Sequence, residues 1–239
     1  MTDGQGSPSR LPLLDVMRGL ALLLMASYHL AWDLVYFGLA DIPLFSAPAW
    51  IFYPRFIAAL FLFIVGIGLA LWWRAGANRA RYLRRLGLVS ACAGIITLAT
   101  WAAFPAQYVF FGILHCIALS SLAALPFLRG SPRTAVAGGL LCLAAPWLFA
   151  APIFDAPALL WLGLATLRPS TVDYVPLFPW VGWVLLGTAA GRWNLVPTGG
   201  LPRFLIPPAW LGRHSLAVYM LHQPLLFGLV YLIALVSAP

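Results

Sequence analysis

Long apolar runs, separated by short polar segments, recur along the whole chain. Most are close to the roughly 20 residues that a helix needs to cross a hydrocarbon core of about 30 Å. A helix crosses lipid without leaving backbone polar groups unpaired. The pattern therefore predicts an all-α, polytopic integral membrane protein with about seven transmembrane helices, at residues 13–36, 50–73, 86–104, 108–128, 134–151, 176–191 and 212–236.

The remaining segments complete the predicted organisation. Residues 1–10 are polar and rich in Gly, Ser and Pro, so we expect a disordered N-terminal tail. Residues 11–239 then form a single transmembrane helical domain. Residues 157–167 are apolar but too short to span, and we interpret them as an interfacial or re-entrant helix.

Composition and charge indicate lipid as the solvent. Hydrophobic residues make up 63% of the 239 and charged residues 8%, more apolar side chain than a water-soluble fold could bury. The net charge of +8 would suit nucleic acid, but the arginines stand at the edges of apolar runs, where membrane orientation explains them. We therefore expect membrane lipid and no nucleic acid as partner. The three cysteines lie singly in apolar segments, which predicts neither a metal site nor a disulfide framework.

The arginines also predict the orientation. With a cytoplasmic N-terminus only Arg55 and Arg168 of the 14 lie outside, which is a strong positive-inside pattern. The inner set is Arg10, Arg18, Arg74, Arg79, Arg81, Arg84, Arg85, Arg129, Arg133, Arg192, Arg203 and Arg213.

The first predicted helix carries the densest set of ionisable residues. Each such residue in a span costs about 2.5 to 3.5 kcal/mol on insertion scales, so each calls for a partner or a role. Asp15 and Arg18 are three apart, and His29 and Asp33 are four apart, so each pair shares a helix face. Arg18 and His29, eleven residues or about 16 Å apart, lie on roughly one side of the helix.

Each pair has two interpretations. His29 with Asp33 suits a general base whose imidazole is oriented by a carboxylate. The spacing equally suits two solvated side chains near the outer interface, and it leaves both open. For Asp15 and Arg18 a salt bridge at the inner interface is the simpler interpretation.

Further polar residues stand in or beside the later runs. His115 suits either a site or a hydrogen bond between helices, and His222 and Gln223 precede Pro224, which removes a helical hydrogen bond. Asp173 and Tyr174 lie at the predicted outer mouth of the sixth helix. Most of these polar residues map to the outer half of the bilayer, whereas the basic segment 74–85 faces the cytoplasm. That arrangement suits an anionic donor docking inside and an acceptor arriving from outside, although topology alone also explains the arginines.

Four segments carry a family resemblance. LPLLDVMRGLALLLMASYHLAWDLVYFG resembles the opening of the catalytic region of the heparan-alpha-glucosaminide N-acetyltransferase family, especially its short bacterial members. FGILHCIALSS, DYVPLFPWVGWVLLG and LGRHSLAVYMLHQPL are similar to further blocks, in the same order. In the wider group of membrane acyltransferases an arginine is followed eleven residues later by a histidine, a spacing that Arg18 and His29 match. The heparan enzyme itself has an asparagine at the position of His29, and its proposed catalytic histidine falls near Ala40, where this chain has none.

The resemblance implies transfer of an acyl group from cytosolic acetyl-CoA or another acyl-CoA to an extracytoplasmic sugar amine or hydroxyl, with no metal. It implies the bacterial cytoplasmic membrane as location and, beside lipid, a small-molecule or glycan acceptor as partner, with a homodimer left open. His29 would be the base or transient acyl carrier, assisted by Asp33. The candidates for binding donor or substrate are Arg18, Arg55, Arg81, Arg84, Arg85, His115, Asp173, Tyr174, Arg213, His222 and Gln223.

Two other functions fit the same residues. A transporter of small molecules or lipids would use the polar side chains as its pathway. An electron carrier would bind haem through two of His29, His115 and His222.

Overall fold

The computed structural model describes residues 11–195 and 201–237. The expected tail, 1–10, lies outside the described residues. Within them, nine α-helices follow one another along the chain: α1 (Pro12–Tyr36), α2 (Pro48–Arg74), α3 (Arg79–Ala103), α4 (Ile113–Ala123), α5 (Leu125–Arg129), α6 (Pro132–Phe149), α7 (Leu177–Arg192), α8 (Ile206–Arg213) and α9 (Ser215–Ser237). The all-α prediction is confirmed for this part of the chain.

Five of these helices, α1, α2, α3, α6 and α9, are long and apolar enough to cross a membrane. The predicted fourth span is divided into α4 and α5, and the predicted sixth is the 16-residue α7. The count of seven and the cytoplasmic N-terminus therefore stay predictions. The predicted interfacial helix at 157–167 is a short 3-10 helix, Pro157–Leu162.

The helices group into two compact units. Among the described residues, the first unit contains 11–54 and 201–237, and the second contains 55–195. Of the described elements, α1, the first turns of α2, α8 and α9 belong to the first unit, and the rest of α2 with α3 to α7 belong to the second. A single domain stays a prediction.

In the first unit, α1 and α8 cross in backbone contact. A Cβ atom added to Gly19 would lie 1.8 Å from the carbonyl oxygen of Pro208, and one added to Gly212 would lie 1.7 Å from that of Asp15. Small residues favour such crossings in membranes, where close van der Waals packing replaces the hydrophobic effect as the source of helix association. Because α9 begins at Ser215, two residues after α8 ends, this crossing also fixes where α9 starts.

In the second unit, α7 is the central helix. A Cβ atom on Gly66 of α2 would lie 2.0 Å from the carbonyl oxygen of Val184, and one on Gly187 of α7 would lie 2.0 Å from that of Phe63. The buried hydroxyl of Thr188 donates to the Val184 carbonyl at 2.9 Å, so this polar group is satisfied within its own helix. Gly139 of α6 and Gly182 of α7 meet in the same reciprocal way.

Arginine side chains join several helix ends of the second unit. Arg192, at the end of α7, donates to the carbonyl oxygen of Phe127 at 3.0 Å and to that of Gly130. Arg74, at the end of α2, donates to the side-chain oxygen of Asn194. The ends of α2, α5 and α7 therefore lie at one end of this unit. A membrane protein with its arginines on one side of the bilayer would show such a grouping.

The backbone contact of α1 with α8 yields a stability prediction. Gly212→Ala places a methyl group where the Asp15 carbonyl lies, so we expect the variant to aggregate or to unfold at a much lower temperature in detergent. Gly228→Ala, on α9 with nothing within 4 Å of its Cβ position, is the matched control. It should keep or slightly raise the unfolding temperature, since alanine is more favourable than glycine in a helix interior by about 1 kcal/mol. Equal melting temperatures for the two variants would contradict the crossing.

Candidate active site

Two histidines meet between α1 and α9 of the first unit. Nδ1 of His29 lies 2.7 Å from Nε2 of His222, and the two rings are stacked, with centroids 4.9 Å apart and planes inclined by 22°. His29 is half-buried. Its Nδ1 contacts His222 of α9, so the imidazole is not directed at lipid only. We refer to His29, His222 and the neighbouring Asp33 and Gln223 as the polar seam.

The hydrogen bonds of the pair define its tautomers. Nδ1 of His222 lies 2.6 Å from the carbonyl oxygen of Tyr219. A carbonyl can only accept, so this Nδ1 carries a proton and, in the neutral ring, Nε2 of His222 has the lone pair. His29 must then donate from Nδ1, which leaves the lone pair of His29 on Nε2. No hydrogen bond from a described residue reaches that nitrogen. The site therefore presents His29 Nε2 as a proton acceptor.

Asp33 and Gln223 form the second contact of the polar seam. The Gln223 amide donates from Nε2 to Oδ1 of Asp33 at 2.8 Å. Asp33 has no exposed surface, and its Oδ2 and the Gln223 Oε1 are buried without a hydrogen-bond partner among the described residues. Two acceptor oxygens without a partner thus flank the hydrogen bond between Asp33 and Gln223. An additional donor would be expected to bind there.

The predicted partnership of His29 with Asp33 is replaced by two contacts between helices. Residues four apart share a helix face, as predicted, but their side chains are displaced by about 6 Å along the axis. Each finds a closer partner on α9, where His222 and Gln223 are adjacent. His29 is therefore oriented by an imidazole rather than by a carboxylate.

Asp15 and Arg18 form the salt bridge that the spacing predicted. Arg18 Nη1 lies 2.9 Å from Asp15 Oδ1, and both side chains are largely buried, at 20% and 12% exposure. The same turn of α1 carries Gly19 and so lies at the α8 crossing. A role of Arg18 in donor binding stays a prediction.

The predicted outer residues of the second unit form a cluster around the start of α4. Oδ2 of Asp173 accepts the Ile113 N–H at 3.1 Å and so caps α4 from a distant loop. His115 accepts the Gly112 N–H on Nδ1 at 3.2 Å, and its Nε2 lies 3.3 Å from the Thr97 hydroxyl. Both nitrogens of His115 are therefore engaged, which favours the structural interpretation of this histidine.

Tyr174 is also held structurally, because its hydroxyl donates to the Leu160 carbonyl at 2.6 Å. The remaining candidates, Arg55, Arg81, Arg84, Arg85 and Arg213, are exposed. Their roles in binding a donor or substrate stay predictions.

Sequence reasoning missed an aromatic cluster beside His29. Tyr28, Trp50 and Tyr53 lie with their ring centroids about 6 Å from one another, and Tyr28 is 6.1 Å from the His29 ring. The Ser27 and Tyr53 hydroxyls are 2.7 Å apart. The adjacent Ser-Tyr-His in an otherwise apolar helix was the available signal.

The pair geometry bears on the haem alternative. Two ligands on opposite sides of a metal lie about 4 Å apart at metal–nitrogen distances of about 2 Å. At 2.7 Å, the bonded nitrogens of His29 and His222 leave no room for an iron between them. In the described ranges no three His, Cys, Asp or Glu side chains group as a metal site.

The apolar helices and the imidazole pair inside them define the class: an integral membrane protein with a candidate acid–base site within the membrane. The family model for heparan-alpha-glucosaminide N-acetyltransferase, catalytic, matches residues 10–224, and the chain belongs to this family. Membership implies a transmembrane acetyltransferase-type function, in a family that generally uses donors of the acetyl-CoA type. No curated relative and no solved structure was found to match the chain.

The Asp33–Gln223 contact yields a prediction about stability. Gln223→Leu removes the only described donor to a fully buried carboxyl group, so we expect a loss of about 1 to 3 kcal/mol. Asp33→Asn should be neutral or stabilising, because an asparagine amide can donate to Gln223 Oε1 while its oxygen accepts from Nε2. Unfolding temperatures in detergent test both variants. A larger loss for Asp33→Asn than for Gln223→Leu would contradict the assigned contact.

Asp173, in the loop before α7, yields a pH prediction. Burial raises the pKa of Asp173 from 3.8 to about 6, against the lowering effect of the hydrogen bond from Ile113. A folded-state pKa above the unfolded one means that protonation stabilises the fold; this contribution is complete below about pH 4 and is lost as the pH rises through about 6. Relative to Asp173→Asn, the wild type should therefore melt progressively lower between pH 4.5 and 7.5. A pH-independent difference between the two proteins would contradict this.

Proposed function

We propose that the protein transfers an acetyl or acyl group from acyl-CoA to an amine or hydroxyl of an acceptor, a sugar being the expected kind. The donor is bound from the cytoplasm, with the N-terminus on that side, and the acceptor arrives from the opposite side of a bacterial cytoplasmic membrane. Family membership supports the reaction class. The observation that carries the assignment of a site is His29, whose Nε2 is left as an acceptor by the bond of Nδ1 to His222.

For this reaction the protein needs to position the two substrates and to transfer a proton. A thioester is already reactive, so acceptor and donor need to be held together in a suitable orientation. His29 Nε2 removes a proton from the acceptor nitrogen or oxygen as this atom attacks the thioester carbonyl. The new C–N or C–O bond forms, the C–S bond breaks, and the proton moves from Nε2 to the departing sulfur, which leaves as the thiol.

The phosphates of the donor also need a positively charged binding surface. The exposed arginines of the first turns of α3, Arg81, Arg84 and Arg85, are the proposed binding surface for the phosphates of the donor. Arg18 is a weaker candidate, because Asp15 already pairs with its guanidinium. In this proposal the basic ends of the helices serve both orientation in the membrane and donor binding.

His29→Gln tests the proposal, because glutamine keeps polar bulk on α1 but offers no base. We expect transfer of labelled acetyl from acetyl-CoA to glucosamine to fall about 10²- to 10⁴-fold, the usual contribution of general base catalysis. The protein should stay monodisperse in detergent with an unfolding temperature near that of the wild type.

His214→Gln is the matched control, since His214 is exposed directly after α8 and its Nδ1 lies 3.0 Å from the Trp210 carbonyl oxygen of that helix. This variant should keep wild-type turnover. Normal turnover by folded His29→Gln would remove His29 from the mechanism.

A further inference from the structure

We infer that His222 is a positioning residue, which holds His29 in the tautomer with the proton on Nδ1 and the lone pair on Nε2. This inference rests on the proposed function, in which His29 is the base. It gives His222 a different role from the binding of donor or substrate that the sequence suggested.

The inference starts from the two forms of a neutral imidazole. Either ring nitrogen can carry the proton, and the hydrogen bond made by one nitrogen decides the state of the other. In many enzymes a carboxylate makes that bond. Here the nearest carboxylate on the same helix, Asp33, is bonded to Gln223, so His222 is the residue that faces His29 Nδ1.

The Tyr219 carbonyl determines which of the two histidines donates the hydrogen bond. Without it, the contact between His29 and His222 could form with either ring as donor. The 2.6 Å contact to this carbonyl places the His222 proton on Nδ1, so Nε2 of His222 accepts and His29 donates. Tyr219 precedes His222 by three residues on the same helix, so α9 supplies both the acceptor and the carbonyl that orients it.

The same carbonyl ends the chain of hydrogen bonds. A backbone carbonyl neither takes up nor releases a proton at neutral pH, so a proton accepted by His29 Nε2 has no exit through His222. It must leave from the nitrogen at which it arrived. The acceptor atom and the leaving sulfur therefore both need to reach His29 Nε2, and the pair holds a proton instead of conducting it across the membrane.

Two substitutions separate positioning from packing. In His222→Gln, Oε1 is as many bonds from the backbone as Nε2 of histidine and can accept from His29 Nδ1–H. His222→Phe keeps an aromatic ring beside His29 but has no acceptor. The phenylalanine variant should lose about 10- to 100-fold in turnover, by analogy with the loss seen when the orienting partner of a metal-binding histidine is removed. The glutamine variant should recover most of this loss.

Nitrogen spectra give a readout that does not depend on activity. The 239-residue sequence has four histidines, so ¹⁵N-histidine labelling in bilayers gives few signals, and comparison with His29→Gln assigns those of His29. Wild type and His222→Gln should show His29 with Nδ1 protonated and Nε2 unprotonated. His222→Phe should shift His29 toward a protonated Nε2.

The outcomes are separable. A protonated Nε2 on neutral His29 in the wild type, or unchanged spectra and turnover in His222→Phe, would overturn the inference. A folded wild type with the expected tautomer that transfers no acetyl group to amine or hydroxyl acceptors would instead count against the proposed function. The expected spectra together with the expected ranking of the two variants would support both.

Discussion

The backbone contact between α1 and α8 is the constraint on which the rest of the first unit depends. Gly19 and Gly212 each face a carbonyl oxygen of the other helix, so neither position can carry a side chain. α9 follows α8 almost at once and must run beside α1 from a fixed starting point. The pairing of His29 with His222, on residues 193 apart in the chain, is a consequence of that starting point. The site is thus positioned by close helix packing at one end of α1.

Lipid makes the polar contacts within this packing more restrictive. Water does not compete for buried donors and acceptors there, so each needs a protein partner or a ligand. His29 and Asp33 each find a partner on α9, in the adjacent residues His222 and Gln223. The two contacts together set the register between these helices. The contact of the buried Asp33 carboxyl group is the less satisfied of the two, because Gln223 is its only donor among the described residues.

Hydropathy was sufficient to predict the helices but not their interruptions or their partners. Every predicted run contains a helix, because long apolar segments in lipid have few alternatives. The start of the fourth run is nevertheless extended, since Val172 and Val175 donate to the carbonyls of Gln107 and Phe111. Spacing placed His29 and Asp33 on one face correctly. It could not show that α9 would supply closer partners than the helix itself, because that depends on contacts between distant segments.

The motifs that carry the family resemblance combine two kinds of constraint. In Asp-x-x-Arg-Gly, Asp15 and Arg18 form a salt bridge and Gly19 meets α8; in Leu-Gly-Arg-His-Ser, Gly212 meets α1. These residues are needed to bring two helices into contact, whatever reaction follows. The groups suited to chemistry lie further along the same helices, at His29 and His222. A chain could therefore keep both motifs, and with them the fold, while changing the residue at position 29. The motifs indicate the scaffold, and the residues paired along the polar seam determine the chemistry that it supports.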